Sequence, residues 1–510
     1  MNKILLFKRL AAALSVSLIC SGCPVGPNYH PPEAPSTTTY TATPFPDKTA
    51  SVPGPGGAEQ HLALGQEIPA EWWKLFHSAP LDQLVRQALS GNPTLAAAQA
   101  TLRESQETLN ALVGSVLYPK VDASASVTRE KISGAEFGLP NEQFPPFTLY
   151  NASVNVSYAL DLFGGARREL EALESQVDFQ RFQLEGAYLT ITSNVVTTAV
   201  KEASLRAQIQ ALHEIIAALQ TQLDLVELQF KLGGAARPDV LAQRTQLAQT
   251  KATLPSLEKE LEQTRHLLAV FAGRFPSDSA LLPAFNLDQL QLPAELPVSL
   301  PSSLVRQRPD IRASEALLHA ASAQVGVATA NQYPQINLTG SLGSMAISSN
   351  TLFSTGTGVW SLGAGLLQPV FHGGQLSAER RAAVAAYDQA VAQYQVVVLQ
   401  AFQNVADVLR ALDADAETLK EQADADQSAR NTLELTQKQF QLGGVSYLSL
   451  LNAERQYQQT RIGLIQAQAA RYADTAALFQ ALGGGWWNRN GHSGPVSDFE
   501  NGRNSSLSMP

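Results

Sequence analysis

This chain is written twice, and the duplication limits its possible folds more than any other feature. Phe230-Lys-Leu-Gly-Gly234 returns as Phe440-Gln-Leu-Gly-Gly444, about 210 residues later. Asn92-Pro93-Thr94-Leu95 is matched by Arg308-Pro309-Asp310-Ile311, and Tyr118-Pro119 by Tyr333-Pro334. Phe163-Gly164-Gly165 is matched by Phe371-His372-Gly373-Gly374. The landmarks keep one order in both halves. Between the halves, residues 274–301 carry Pro276, Pro283, Pro293, Pro297 and Pro301, which marks a linker.

Each half reads as helix, two strands, very long helix, helix. The strands carry the sharpest information. From Asn151 to Leu162 the even positions are Ala152, Val154, Val156, Tyr158, Leu160 and Leu162, and the odd ones are mostly Asn and Ser. That is period two, with one apolar and one polar face. The same alternation runs through about 121–128, 335–343 and 358–367. A membrane barrel needs such strands, and a half-buried soluble sheet uses them too. Four strands cannot close on themselves, and hydrocarbon tolerates no open edge. In a membrane, therefore, copies of the chain must share the barrel, and three copies supply twelve strands.

The helices are expected at 80–117, 166–231 and 238–272 in repeat one (80–273). In repeat two (302–486) the long helix is expected at 375–442 and the last at 446–482. Leu170, Val177, Leu184, Ile191, Val195, Leu205, Leu212, Leu219, Val226 and Phe230 step by threes and fours or their sums, as in a heptad seam. At about 1.5 Å per residue such a helix is roughly 100 Å long. The seam recurs at Val384, Val391, Val398, Val405 and Leu412 and then weakens.

Residues 1–22 read as a signal peptide: Lys3, Lys8 and Arg9, an apolar run from Leu10 to Ile19, then small residues. Cys23 follows as the candidate lipidated first residue of a lipoprotein, although Cys20 stands where such signals usually carry Leu. A lipid anchor would hold the protein on a membrane without a spanning helix. Residues 23–79 read as an extended N-terminal segment, and 487–510 as a disordered tail.

The 510 residues are 45% hydrophobic with a net charge of −9, enough apolar content for a large core and no basic stripe to meet nucleic acid. The two cysteines, Cys20 and Cys23, cannot build a disulfide scaffold. No H-x-x-x-H pair, phosphate loop or G-x-S-x-G elbow is present, so no catalytic residue, metal or cofactor is expected. The glycine pairs suit helix C-caps instead. One run of acids, Asp413, Asp415, Glu417, Glu421, Asp424 and Asp426, reads as a lumen segment or a solvated helix face.

Several stretches together resemble the outer-membrane efflux factors, the TolC-like channels of tripartite export systems, in their lipoprotein branch. They are Cys23-Pro-Val-Gly-Pro-Asn-Tyr29, Trp72-Trp73-Lys-Leu-Phe76, Arg308-Pro-Asp-Ile311 with Glu315, Gly326 and Tyr333-Pro334, and Ala481-Leu-Gly-Gly-Gly-Trp486. The resemblance implies a mostly α chain with four membrane strands per protomer, a homotrimer with a twelve-stranded barrel, and a periplasmic α-helical barrel. It implies a periplasmic adaptor and an inner-membrane pump of the proton-driven kind as partners. It also implies an outer-membrane location and a passive exit duct for small molecules. The alternatives are the duct of a protein secretion system and a structural coiled-coil envelope lipoprotein. The resemblance puts the turns Leu232-Gly233-Gly234 and Leu442-Gly443-Gly444 at the periplasmic tip, where an adaptor docks. Aperture candidates are Val445, Ser446, Tyr447, Ser449 and Asn452. Acids common at that place in the family are replaced here by Val445, Ser449 and Asn452, which puts an acidic-ring gate in doubt.

Overall fold

The computed structural model describes residues 25–43, 45–138, 141–142 and 144–489. The expected signal peptide, Cys23 and the tail from residue 490 lie outside them. In chain order the elements are β1 (His61–Leu64), α1 (Ala79–Gly91), α2 (Pro93–Val116), β2 (Lys120–Glu130), β3 (Phe147–Leu160), α3 (Gly165–Lys231) and α4 (Arg237–Phe271). Then come β4 (Glu295–Val298), α5 (Pro301–Gln307), α6 (Pro309–Ala330), β5 (Gln335–Ala346), β6 (Gly358–Leu367), α7 (Gln375–Gln441) and α8 (Tyr447–Ala481). Among the described residues, 25–32, 101–181 and 313–395 form one compact unit, and 33–100, 182–312 and 396–489 form another.

The first unit is built on an antiparallel sheet in the order β2-β3-β5-β6. Its strands are the period-two segments of the two halves, so the sheet is assembled from both repeats. β3 runs from Phe147 and stops at Leu160, two residues short of the alternating pattern. Asp161 leaves the ladder because its carboxylate accepts from the Arg167 backbone N–H (3.0 Å) and Nε (3.2 Å) at the start of α3. The sheet is open, with β2 and β6 as its outer strands.

The second unit shows why the duplicated Asn92-Pro93 and Arg308-Pro309 stand where they do. Asn92 ends α1 and caps α2, its Oδ1 accepting from the Thr94 N–H at 2.8 Å, with Pro93 in the first helical turn, where no N–H is needed. Its Nδ2 donates to the Phe271 carbonyl at the end of α4. Arg308 repeats this between α5 and α6: Nη1 donates to the Ala481 carbonyl at the end of α8 (2.8 Å), and Nη2 binds Asp310 (2.7 Å). In both halves the residue before the proline thus ties a helix start to the last carbonyls of that half's final helix.

Trp72 and Phe479, from opposite ends of the chain, stack with centroids 5.2 Å apart, and Phe76 packs against Tyr472. These motifs therefore make core. Residues 23–79 and 274–301, read as extended segment and linker, carry β1 and β4, which pair in parallel from His61↔Glu295 to Leu64↔Val298. Arg471, fully buried, holds the N-terminal segment: its guanidinium donates to Leu412 O (2.9 Å), Thr49 Oγ1 (3.2 Å) and Ala58 O (3.3 Å). At the other end of the chain, Trp487 Nε1 donates to Glu67 (2.8 Å) and Asn488 Nδ2 to the Ile68 carbonyl (2.8 Å), so these residues are tied down.

The seam positions Leu170, Ile191, Val195, Leu205, Leu212, Leu219 and Val226 are buried on α3, as are Val398, Val405 and Leu412 on α7. Beyond Leu412 the seam does not stop. It continues through Ala416, Leu419 and Asp426, all buried, and small or polar side chains are what weaken it in the sequence.

Candidate functional site

In the first unit the strand register sorts the sheet into two faces. Val121 pairs with Val156, Val156 with Gly340, and Gly340 with Leu362. Ala123, Val154, Leu342 and Trp360 form the next row on that face. Paired residues in an antiparallel ladder share a face, so these rows are one apolar surface crossing four strands. Leu362 is 83% exposed and Trp360 76%, a surface that water alone does not suit. The opposite face carries Ser124, Ser153, Asn155, Ser341 and Ser361. Its side chains bond one another: Ser124 with Ser153 (3.1 Å), Asn155 Nδ2 with Ser124 (3.0 Å), and Ser341 with Ser361 (2.9 Å). Among the described residues no helix is long and apolar enough to cross a membrane.

The same unit holds the segment that follows Cys23, through a cluster the sequence did not reveal. The Val25 N–H donates to the Phe163 carbonyl just past β3 (3.0 Å). Gly26, at φ +95°, lies so close to Gly326 of α6 that a Cβ on it would fall 2.6 Å from the Gly326 Cα. Asn28 accepts from Arg168 Nη2 at 2.6 Å, and Tyr29 stacks on His319 at 4.1 Å. Glu171 of α3 receives both His319 Nε2 (2.8 Å) and Arg168 Nη1 (2.6 Å). The His319 hydrogen bond, aided by Arg168, holds the Glu171 carboxyl below the usual carboxylate range against the opposing effect of burial.

In the second unit the two Leu-Gly-Gly turns have matching geometry. Gly233 and Gly443 are left-handed, at φ +79° and +74°. The Gly234 N–H donates to Gln229 O and the Gly444 N–H to Gln439 O, both at 2.8 Å, while the first glycine of each pair bonds the Phe230 or Phe440 carbonyl. Each is a Schellman cap, which requires a residue without a Cβ penalty at the left-handed position. Leu232 and Leu442 stand 78% and 88% exposed beside these caps.

The aperture candidates separate by role. The Ser446 side chain accepts from the Ser449 N–H (3.3 Å) and bonds its hydroxyl (2.9 Å), so both serines are engaged in capping α8. Asn452 accepts from Arg455. Val445 is half-buried. Tyr447 alone is buried, in a cluster with Leu219, Leu223, Val226, Val240, Leu247 and Leu450. Its hydroxyl donates to Oε1 of Gln243, whose Nε2 donates to the Leu219 carbonyl at 3.0 Å. One buried amide on α4 thus joins α3 to α8. Gln243 was not singled out from the sequence, where nothing distinguishes it from its many neighbouring glutamines.

The acidic run divides as well. Glu417, Glu421 and Asp424 are exposed, Asp413 and Asp415 half-buried, and Asp426 buried. Among the described residues no group of three or more His, Cys, Asp or Glu is placed to hold a metal.

A model of the family described as outer membrane efflux protein matches residues 84–274 and 300–484. The pyoverdine export outer membrane protein OpmQ of Pseudomonas putida is 30% identical over 464 residues, covering 87% of this chain and 94% of that one. The probable outer membrane lipoprotein SilC of Salmonella typhimurium is 26% identical, covering 94% of this chain and all of that one. The solved structure of the outer-membrane channel OprN superposes with a TM-score of 0.82 at 28% identity, covering 91% of this chain and all of that one.

Proposed function

Because the chain belongs to the outer membrane efflux protein family, we propose that its two-faced sheet is one third of a channel wall and its Leu-Gly-Gly turns the docking and gating end. The protein is the outer-membrane component of an efflux pump, a trimer that works with a periplasmic adaptor and an inner-membrane transporter. Three open sheets close into one twelve-stranded barrel, β6 of each copy pairing with β2 of the next, so that no edge faces lipid. The apolar rows then meet hydrocarbon, and the serine and asparagine rows line water. The cargo is small molecules handed over by the transporter, and the duct itself does no chemistry on them.

The site roles follow from the chemistry of each part. Leu232 and Leu442 with their glycine pairs are the adaptor contacts, supported by two exposed leucines on rigid, matching caps. Tyr447 is the aperture residue, supported by its buried bond to Gln243, which must break if α8 is to move away from α4. Cys23 carries the lipid, supported by the clamp that fixes the chain two residues beyond it.

The observation that carries the reading is the continuous apolar face across four strands, with an unpaired edge on the outer side of β2 and of β6. Purified protein reconstituted in a planar bilayer tests it. Discrete conductance from a detergent-resistant trimer is expected, and a soluble monomer that never conducts would overturn it.

A further inference from the structure

Behind the tip, Glu454 of α8 is 9% exposed, and its Oε2 is buried without a hydrogen-bond partner. It lines a cavity of about 110 Å³ together with Ile215 and Leu219 of α3 and Leu433 of α7. Asp426 of α7 is 7% exposed, and its Oδ1 is also buried and unpartnered. The nearest cation to Asp426 is Arg461 of α8, at 3.9 Å, and Arg461 lines the same cavity. Two carboxyls on neighbouring helices are thus enclosed with unsatisfied oxygens, a state that water-accessible acids do not adopt.

We propose that Glu454, assisted by Asp426, is a proton-operated latch on the helix packing behind the tip: neutral while α8 lies against α3 and α7, and ionised once that packing loosens. The idea rests on the reading of the tip as the aperture. It adds a regulator to that reading, so that acid holds the aperture shut and alkali releases it.

The surroundings decide the sign. From α3 the cavity presents Glu214, another acid, and apolar walls. α7 contributes Leu433 and Gln437 to the wall, and outside the wall it carries Asp426 and Glu434 close to Arg430, which Tyr457 engages. From α8 come Tyr457 and Arg461, and outside the cavity wall Tyr447 of α8 lies near both Glu454 and Asp239 of α4. None of the cations bonds Glu454, so its ionised form gains nothing in the packed state. Burial pushes the Glu454 carboxyl up to about 7 from an ordinary 4.5 and raises that of Asp426 also. When α8 loosens, water reaches Glu454 and its proton passes to solvent. The packed state carries no penalty below the ordinary carboxylate value, loses ground as pH rises from there, and bears the full penalty above about 7. The difference between the two values corresponds to about a 300-fold shift in the packed-to-loosened ratio.

The test is single-channel recording of the full-length trimer between about pH 4 and about pH 8, with Glu454→Gln, which is neutral at every pH, beside it. The native trimer is expected to open more as pH rises, the variant to stay at its acid-pH level throughout, and Asp426→Asn to shrink the response. A native trimer indifferent to pH, or a variant with the native pH response, overturns the latch. The duct reading is judged separately by Tyr447→Ala, which loosens the tip whatever the state of Glu454; silence from it at every pH overturns the duct. Deuterium exchange over residues 447–461 then decides the latch without conductance. The latch requires faster exchange in the native trimer than in Glu454→Gln at alkaline pH, and equal rates overturn it.

Discussion

The Tyr447 hydroxyl donates to the side-chain carbonyl of Gln243, two buried groups 204 residues apart in sequence that join the second repeat's last helix to the first repeat's last helix. Gln243 cannot turn away to satisfy itself, because its amide is already committed to the Leu219 carbonyl. Tyr447→Phe therefore leaves a buried acceptor unpaired, at a cost of about 1–2 kcal/mol to the packing of α8 against α4. The expected outcome is more frequent opening in planar bilayers with the trimer intact. Gln243→Ala should do the same, and the double variant should open little more than either single one, because one bond is being removed.

The exposed leucines at the caps predict a loss of partner without a loss of channel. Leu442→Asp puts a charge where an apolar contact is expected. Adaptor affinity, measured by titration against the immobilised trimer, should fall tenfold or more, which corresponds to about 1.4 kcal/mol or greater. Bilayer conductance of the same variant should equal that of the native protein.

Opposite faces of one strand give opposite phenotypes. Leu362→Lys places an ammonium on the apolar rows and should cost about 2–4 kcal/mol of barrel stability, seen as loss of the heat-modifiable trimer on gels. Ser361→Lys, one residue away on the polar rows, should keep the trimer and change the ion selectivity of the pore.

The clamp on residues 25–29, behind the proposed lipidation site, predicts a pH limit. The Glu171 carboxyl lies below its ordinary range because of His319 and Arg168, so its contribution is complete above the ordinary carboxylate value and is lost as pH falls through the lowered one. Native protein should keep residues 25–32 protected from proteolysis at neutral pH and expose them in strong acid. Gly26→Ala should expose them at neutral pH, since φ +95° and the Gly326 backbone both oppose a Cβ, at a cost of about 1–3 kcal/mol. The release of a short N-terminal fragment by limited protease digestion measures both effects.

The parts of this molecule legible in its sequence are those governed by a period. Strand alternation between Asn151 and Leu160 and the seam from Leu170 to Val226 each repeat one geometric rule many times, and the duplication states every rule twice. The pairing of His61–Leu64 with Glu295–Val298 repeats nothing: four residues meet four others far along the chain, with Pro297 among them. Arg471 and Gln243 look in the sequence like surface residues, because only the folded chain brings Thr49, Ala58 or Tyr447 against them. Glu454 is the sharpest case. Flanked by Ala453 and Arg455, it reads as an ordinary solvated helix charge, and its enclosure needs α3 and α7 packed against its own helix. The acidic run misleads in the same way, since Asp426 occupies the seam while Glu417, Glu421 and Asp424 face outward.

The bare outer strands β2 and β6 have a consequence for mixed populations. Each copy offers one edge to the neighbour before it and one to the neighbour after, so a ring tolerates no faulty member. In a cell making sound and edge-broken copies in equal amounts, random association would leave only about one ring in eight wholly sound. A broken β6 should therefore behave as a dominant lesion, silencing far more export than its share of the subunits.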